Sequence, residues 1–249
     1  MSGHSKWATI KHQKGAKDKA RGKQFAKLIR QVEVAAREGG GDLDANASLR
    51  TMYNKARSAS VPLDTIERAI KRGTGELEGV RYEPLTYEGY GAAGVALLVE
   101  VLTDNRNRTG SEIRSTFTKA GGNIAEPGAV AWQFHRHGVI SVPKSVAEDA
   151  LTEAVLEAGG EDVIDQGSSW EVRCEPSLVD EVSGNLRETG IEVLQAESML
   201  LSDNPVPLAS EDDARKVLRL IDALEDLDDV QNVWSNFDIS EDVLEKVAG

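Results

Sequence analysis

The sequence predicts an α+β multidomain protein in which an N-terminal three-helix domain precedes two α/β sandwich domains, one ferredoxin-like and inserted into the other. Three observations carry this. The apolar period is that of helices up to about residue 73 and switches between strand and helix spacings beyond it. Residues 138–208 run strand, helix, strand, strand, helix, strand, the order of a split βαβ unit. The helix and strand at 210–237 complete nothing in that unit, whereas 81–134 lacks a second helix and a last strand. The economical chain path returns them there. The domains then fall at 1–76, at 80–136 plus 208–249, and at 137–207, in keeping with a 249-residue chain that exceeds the usual size of one core.

Taken in order, residues 1–14 read as an irregular arm, with only Trp7 and Ile10 among polar and basic residues. A helix follows Gly15: Phe25, Leu28, Ile29, Val32, Ala35 and Ala36 share a face, and Gly39-Gly40-Gly41 ends it. A second helix places Leu49, Met52, Tyr53 and Ala56 on one side. A third opens with Asp64 and Glu67 spaced as a capping box, presents Ile66 and Ile70, and stops near Gly73. The glycine-rich 73–79 is a linker. Strands follow at 86–90 and 95–102, the second apolar enough to be central in a sheet. Next come the polar loop 103–108, TDNRNR, and a helix capped by Thr109 and Glu112 that bears Ile113, Phe117 and Ala120. Gly121-Gly122 closes that helix, and 130–134 reads as a strand. In the ferredoxin-like unit the strands are 139–142, 162–166, 170–174 and 191–200. Its helices carry Leu151 and Val155, then Val182 and Leu186. After Pro205 and Pro207, a helix from Ser210 presents Ala214, Val217, Leu218, Ile221 and Leu224, and a strand lies around 230–237.

Composition narrows the function classes. No run approaches the roughly 20 consecutive apolar residues of a membrane span, and the Lys-rich start has no apolar signal core, so a cytoplasmic chain with no membrane partner is expected. A single cysteine, Cys174, cannot form an internal disulfide, and with four histidines there is no zinc spacing; no cofactor and no metal are expected. Cys174 alternates with Trp170 and Val172 and reads as a core thiol. His135 and His137 fall on one strand face without further ligands and read as surface residues. Neither GxSxG nor HExxH occurs, the glycines of 89–94 and 121–122 fit no phosphate-binding fingerprint, and the carboxylates are scattered. A non-enzymatic protein is expected.

The net charge of −13 conceals a strong asymmetry: residues 1–72 hold 16 Lys/Arg against 7 Asp/Glu, and residues 73–249 hold 13 against 35. The first thirty carry Lys6, Lys11, Lys14, Lys17, Lys19, Arg21, Lys23, Lys27 and Arg30 against Asp18 alone. With a screening length of about 8 Å, a distant acidic surface cannot cancel such a field. If about six of these cations engage duplex phosphate, log K falls against log salt with a slope of about −5. Trp7, His4 and His12, interleaved with the lysines, suit stacking on unpaired bases, as in RNA recognition. The alternative reading of the run is a solvated tail; its scarcity of acid in an acid-rich chain, and its continuation into a helix, favour binding. In TDNRNR, Arg106 and Arg108 sit just before a helix N-terminus, where they could meet phosphate or instead pair with nearby carboxylates; both readings stay open.

The segments MSGHSKWATIKHQKGAKDKARGKQFAKLIR, LTYEGYGAAG, LTDNRNRTGSEIRSTFTKAGG and WQFHRHGVI resemble the YebC/PmpR family, and the similarity spans essentially the whole chain. The resemblance implies a helical domain and two α/β domains around a central cleft, with no cofactor or catalytic residue. It implies nucleic acid as partner: promoter DNA, since bacterial members are described as DNA-binding transcriptional regulators, or ribosomal RNA. The mitochondrial relatives act in translation, and bacterial members have been linked to ribosomes stalled on proline-rich stretches. Carried onto this chain, the primary contacts are Lys6, Trp7, Lys11, His12, Lys14 and Lys17, continued by Lys19, Arg21, Lys23, Lys27 and Arg30. Arg106 and Arg108 are secondary. The oligomeric state stays open, with a monomer favoured.

Overall fold

The computed structural model describes residues 18–240 together with 243, 246 and 247, with side chains from residue 22 onward. Helices α1 (Asp18–Gly39), α2 (Ala47–Ser58) and α3 (Leu63–Thr74) pack on the stripe read from sequence. Leu28, Val32, Ala35 and Ala36 of α1 meet Leu49 and Ala56 of α2 and Ile66 and Ala69 of α3. At Gly73 the α1 and α3 backbones approach so closely that a Cβ would lie 2.5 Å from the Glu33 carbonyl oxygen, so only glycine fits. Asn46 joins two helix ends: its Oδ1 accepts the Leu49 N–H at 3.0 Å as the α2 cap, while its Nδ2 donates to the Ala35 and Gly40 carbonyls at 2.9 and 2.8 Å. The expected capping box of α3 does not form. Pro62 holds the cap position with φ −58°, its carbonyl takes the first helical amides, and Asp64, already inside the first turn, pairs with Arg68 at 3.5 Å. Buried Glu33 accepts from Arg72 Nε at 2.9 Å and Arg37 at 3.2 Å, and Arg37 also donates to the Val80 carbonyl, which ties the linker to the helices.

The first sheet joins β1 (Glu83–Tyr90), β2 (Ala96–Thr103), β3 (Asn123–Ala125) and β9 (Val230–Ser235) in the antiparallel order β3-β1-β2-β9. Central β2 is buried at every position except Glu100. Helices α4 (Arg106–Lys119) and α7 (Glu211–Glu225) cover one face, with Ile113, Phe117, Val217, Ile221 and Leu224 against Leu97, Val99, Val101 and Val233. The second sheet, β4 (Phe134–Pro143), β5 (Asp162–Asp165), β6 (Ser169–Cys174) and β7 (Gln195–Ser202), has the order β5-β6-β4-β7 with all neighbours antiparallel. Helices α5 (Glu148–Glu157) and α6 (Val179–Glu188) cover it through Leu151, Val155, Val182 and Leu186. That topology is ferredoxin-like. The unit is inserted, because β9 lies beside β2 only after β7 has closed the second sheet. The helix-free faces of the two sheets then meet: Ala96, Leu98 and Trp234 pack on Val139, Met199 and Leu201. Alternation along β2 makes this possible, odd positions facing helices and even ones the other sheet.

Several local expectations change. Residues 130–134 are not a strand; a 3-10 turn, Ala131–Gln133, leads into β4 at Phe134. The cause is Glu88, whose buried carboxylate accepts the Gly128 and Val130 N–H groups at 2.6 Å and that of Ala131 at 2.9 Å, curling the segment around itself. Burial opposes the Glu88 charge, but these three donors outweigh it and hold its carboxyl below the ordinary glutamate range. The strand expected from 191 begins only at Gln195. A parallel pair, β8 (Val206–Leu208) with β10 (Phe237–Ile239), closes the return path beside buried Asn236, which accepts the Ala96 N–H at 2.8 Å and donates to Gln133 Oε1 at 3.0 Å.

Candidate nucleic-acid interface

Lys6, Trp7, Lys11, His12, Lys14 and Lys17 lie outside the described residues, as do the side chains of Lys19 and Arg21. Three further members of the basic run are placed on one stripe of α1, and each is engaged by the α7–β9 turn some 200 residues away. Lys23 Nζ donates to the Asp226 carbonyl at 2.8 Å and to its carboxylate, Lys27 Nζ to the Glu225 carbonyl at 2.8 Å, and Arg30 to the Asp228 carbonyl and, at 3.2 Å, to Asp229 Oδ1. The guanidinium of Arg30 also stands 5.4 Å from the centroid of the Tyr82 ring. Helical spacing explains the alignment: positions 23, 27 and 30 fall on one face, and they meet the carboxyl-terminal end of α7, where carbonyl oxygens and the helix dipole favour cations.

In TDNRNR, Arg108 takes the pairing geometry. Helix α4 starts at Arg106, with Asn105 Oδ1 accepting the Arg108 N–H at 3.1 Å, so both arginines lie in the first turn rather than before it. Thr109 is no cap either. It is buried inside the helix, because its hydroxyl donates to Asp229 Oδ2 at 2.6 Å, an oxygen that also accepts from Arg108 at 2.7 Å and Thr103 at 3.1 Å. Burial works against the charge of Asp229, yet Thr109, Arg108 and Thr103 together prevail and hold its carboxyl below the ordinary aspartate range. Arg108 is further bonded to Asp104 at 2.7 Å. Arg106 is the freer of the two, exposed and 4.0 Å from Glu83.

Two cations that the sequence reading passed over stand out on α2. Arg50 and Arg57 are exposed, lie seven residues apart and therefore on one side of the helix, and pair with no carboxylate among the described residues. Their seven-residue spacing, on the flank of the apolar face of Leu49, Met52, Tyr53 and Ala56, was the available signal. Lys55, on the same helix, sits 3.9 Å from Glu197 of β7. Helices α2 and α3 are joined by the four residues 59–62, with Ser60 at φ 64°, which is the connectivity of a helix-turn-helix. The first turn of α3, which would read base edges in such a motif, instead carries Asp64, and the exposed face adds Glu67. Carboxylates there repel phosphate.

Elsewhere, Cys174 is buried in the second core, and burial, with Glu161 and Glu175 nearby, pushes its thiol up to about 11, which disfavours the thiolate. His135 is exposed and 3.1 Å from Asp203. Among the described residues no group of three or more His, Cys, Asp or Glu is placed to hold a metal ion, and no helix is long and apolar enough to cross a membrane.

Residues 5–76 match the model of the TACO1/YebC protein N-terminal domain, and residues 82–237 match that of the TACO1/YebC second and third domain. A protein of Trichlorobacter lovleyi is 54% identical over 247 residues, covering 99% of this chain and 100% of its own length, and bears the name probable transcriptional regulatory protein. A protein of the same name from Saccharopolyspora erythraea is 55% identical over 249 residues, with 99% of both chains covered. The crystal structure of a conserved hypothetical protein from Aquifex aeolicus superposes with a TM-score of 0.77 at 45% identity, covering 89% of this chain and 91% of that one. With both parts of the chain matched in order and the fold shared, the protein belongs to the TACO1/YebC family.

Proposed function

We propose that the chain is a non-enzymatic regulator of gene expression that binds nucleic acid through its helical domain and the basic arm before it. The observation that carries this is the segregation of charge, 16 Lys/Arg against 7 Asp/Glu in residues 1–72 of a chain whose remainder is strongly acidic. Arg50 and Arg57 add an exposed cationic face on α2, while Arg106 offers a looser secondary contact than the engaged Arg108. The names of the relatives favour promoter DNA as the target and a role in transcription. A gel-shift series at fixed salt tests that role: preference for a promoter over random duplex supports it, and equal affinity for both counts against it.

A second reading, a ribosome-associated translation factor bound to ribosomal RNA and acting on proline-rich stalls, draws on the acidic opening turn of α3. That turn suits major-groove reading poorly, and the interleaved Lys6, Trp7, Lys11 and His12 suit unpaired bases. Crosslinking in cells followed by sequencing of the attached nucleic acid separates the two targets. For either target, replacing Lys11, Lys14 and Lys17 together with Glu should abolish association and leave the thermal midpoint of the α/β domains unchanged, since exposed charges contribute little to folding. Undiminished binding by that triple variant refutes the contact surface.

A further inference from the structure

The turn that engages α1 is chemically a run of oxygens. Within residues 225–229, three backbone carbonyls and the carboxylates of Asp226 and Asp229 receive every bond described above from Lys23, Lys27 and Arg30. Those three cations span seven residues of helix, about 10 Å at 1.5 Å per residue. A nucleic-acid strand carries one negative charge per nucleotide, so the same stripe can face about two to three successive phosphates.

The turn is also organised independently of α1. Asp229 divides its two oxygens: Oδ2 serves Thr103, Arg108 and Thr109 within its own unit, and Oδ1 serves Arg30 across the seam. Withdrawing α1 leaves the first set intact, so the turn keeps its shape when vacated. The seam grades from exposed to buried, with Lys23 and Asp226 side chains 29% and 75% accessible against 20% and 5% for Arg30 and Asp229, so its outer end can peel first. Near it in sequence, the buried amide oxygens of Gln31, one turn after Lys27, and of Gln231, two residues past Asp229, have no hydrogen-bond partner among the described residues. Opening the seam lets water reach them.

We propose that residues 225–229 are an intramolecular phosphate mimic that occupies Lys23, Lys27 and Arg30 in the closed molecule and is displaced by a nucleic-acid backbone, which adds those three cations to the binding surface and releases the helical domain from the first sheet. The inference rests on the nucleic-acid function proposed above. It makes binding and domain opening one event: in the absence of a polyanion long enough to replace all three contacts, the helical domain stays docked.

The test uses Asp226→Lys and the double variant Asp226→Lys/Asp228→Lys, both at exposed side chains, with unfolding transitions recorded to show that the fold is retained. A fluorescein-labelled 30-mer of mixed sequence, as single-stranded RNA and as duplex DNA, serves as probe. Energy transfer between dyes at Asn54→Cys on α2 and Glu157→Cys on α5 reports opening, since buried Cys174 escapes labelling. The wild-type chain should lose transfer on binding the 30-mer. Asp226→Lys should lose it without nucleic acid, bind up to about fivefold more tightly, as expected for removal of one exposed competing pair, and show a salt slope steeper by about one. Binding of equal strength by wild type and both variants, with transfer unchanged throughout, overturns the mimic and leaves the function standing. Failure of every form to bind either 30-mer overturns both.

Discussion

Lys23, Lys27 and Arg30 on α1 and Arg50 and Arg57 on α2 are cationic stripes of similar spacing on packed helices, yet the first is bonded to oxygens of residues 225–229 and the second faces no carboxylate among the described residues. Helix periodicity places both stripes correctly. What opposes them is decided by where a chain segment 200 residues distant returns. The helical domain therefore carries two separable kinds of charge, one bonded across the seam and one without a carboxylate partner among the described residues, and the return of residues 225–229 to α1 determines which is which.

Removing the Asp229 carboxylate should have the largest effect. Asp229→Ala leaves Arg30, Arg108, Thr103 and Thr109 without their shared acceptor, and stranding buried partners in this way costs about 3 kcal/mol or more. Urea unfolding measures it; a loss below about 1 kcal/mol would mean the junction behaves as an ordinary surface pair. The acid limb of stability sharpens the point. Asp229 and Glu88 both have carboxyls held below their ordinary ranges. Each thus contributes stability that is fully present above its unfolded value of about 4 and is lost as pH falls through the lower folded value. The urea midpoint should hold steady between about pH 5 and 7 and decline below about 4. Glu88→Gln should cost roughly 1–3 kcal/mol at neutral pH, because one amide oxygen replaces a carboxylate that serves three donors, and should flatten the acid decline. An unchanged acid profile in that variant would remove Glu88 from the account.

The same contrast explains what could be read in advance. The apolar faces of α1, α2, α4 and α7 were legible because each repeats over several turns, and the second sheet's unit was legible because its strands and helices alternate at regular lengths. The return of β9 to β2 was legible as a remainder, a helix and strand with no other home. Three-residue elements such as β3, β8 and β10 offer no period to read, and the turn before β4 depends on Glu88, some forty residues earlier. Thr109 read as a cap because its local neighbourhood suits one; its actual partner, Asp229, is 120 residues away. The pair Arg50 and Arg57, which meets no carboxylate among the described residues, is marked in the sequence only by its seven-residue spacing on the polar side of α2.

Substituting that pair gives the smallest effect on folding and the cleanest on binding. Arg50→Glu/Arg57→Glu changes two exposed side chains with no partner among the described residues, so stability should stay within about 0.5 kcal/mol of wild type. If both arginines meet phosphate, each contributes about one unit to the dependence of log K on log salt, and the double variant should bind with a slope shallower by about two, uniformly across sequences. Glutamate at Lys23 and Lys27 should behave differently. These substitutions weaken the docking of the helical domain as well as the grip on a polyanion, so the energy-transfer signal and the affinity move together. Two variants of equal charge loss that differ in this way separate the cations that hold the domains together from those that reach outward. If both pairs changed affinity alone, with the domains equally docked, the α1 stripe would be a plain binding surface and the division drawn between the two helices would disappear.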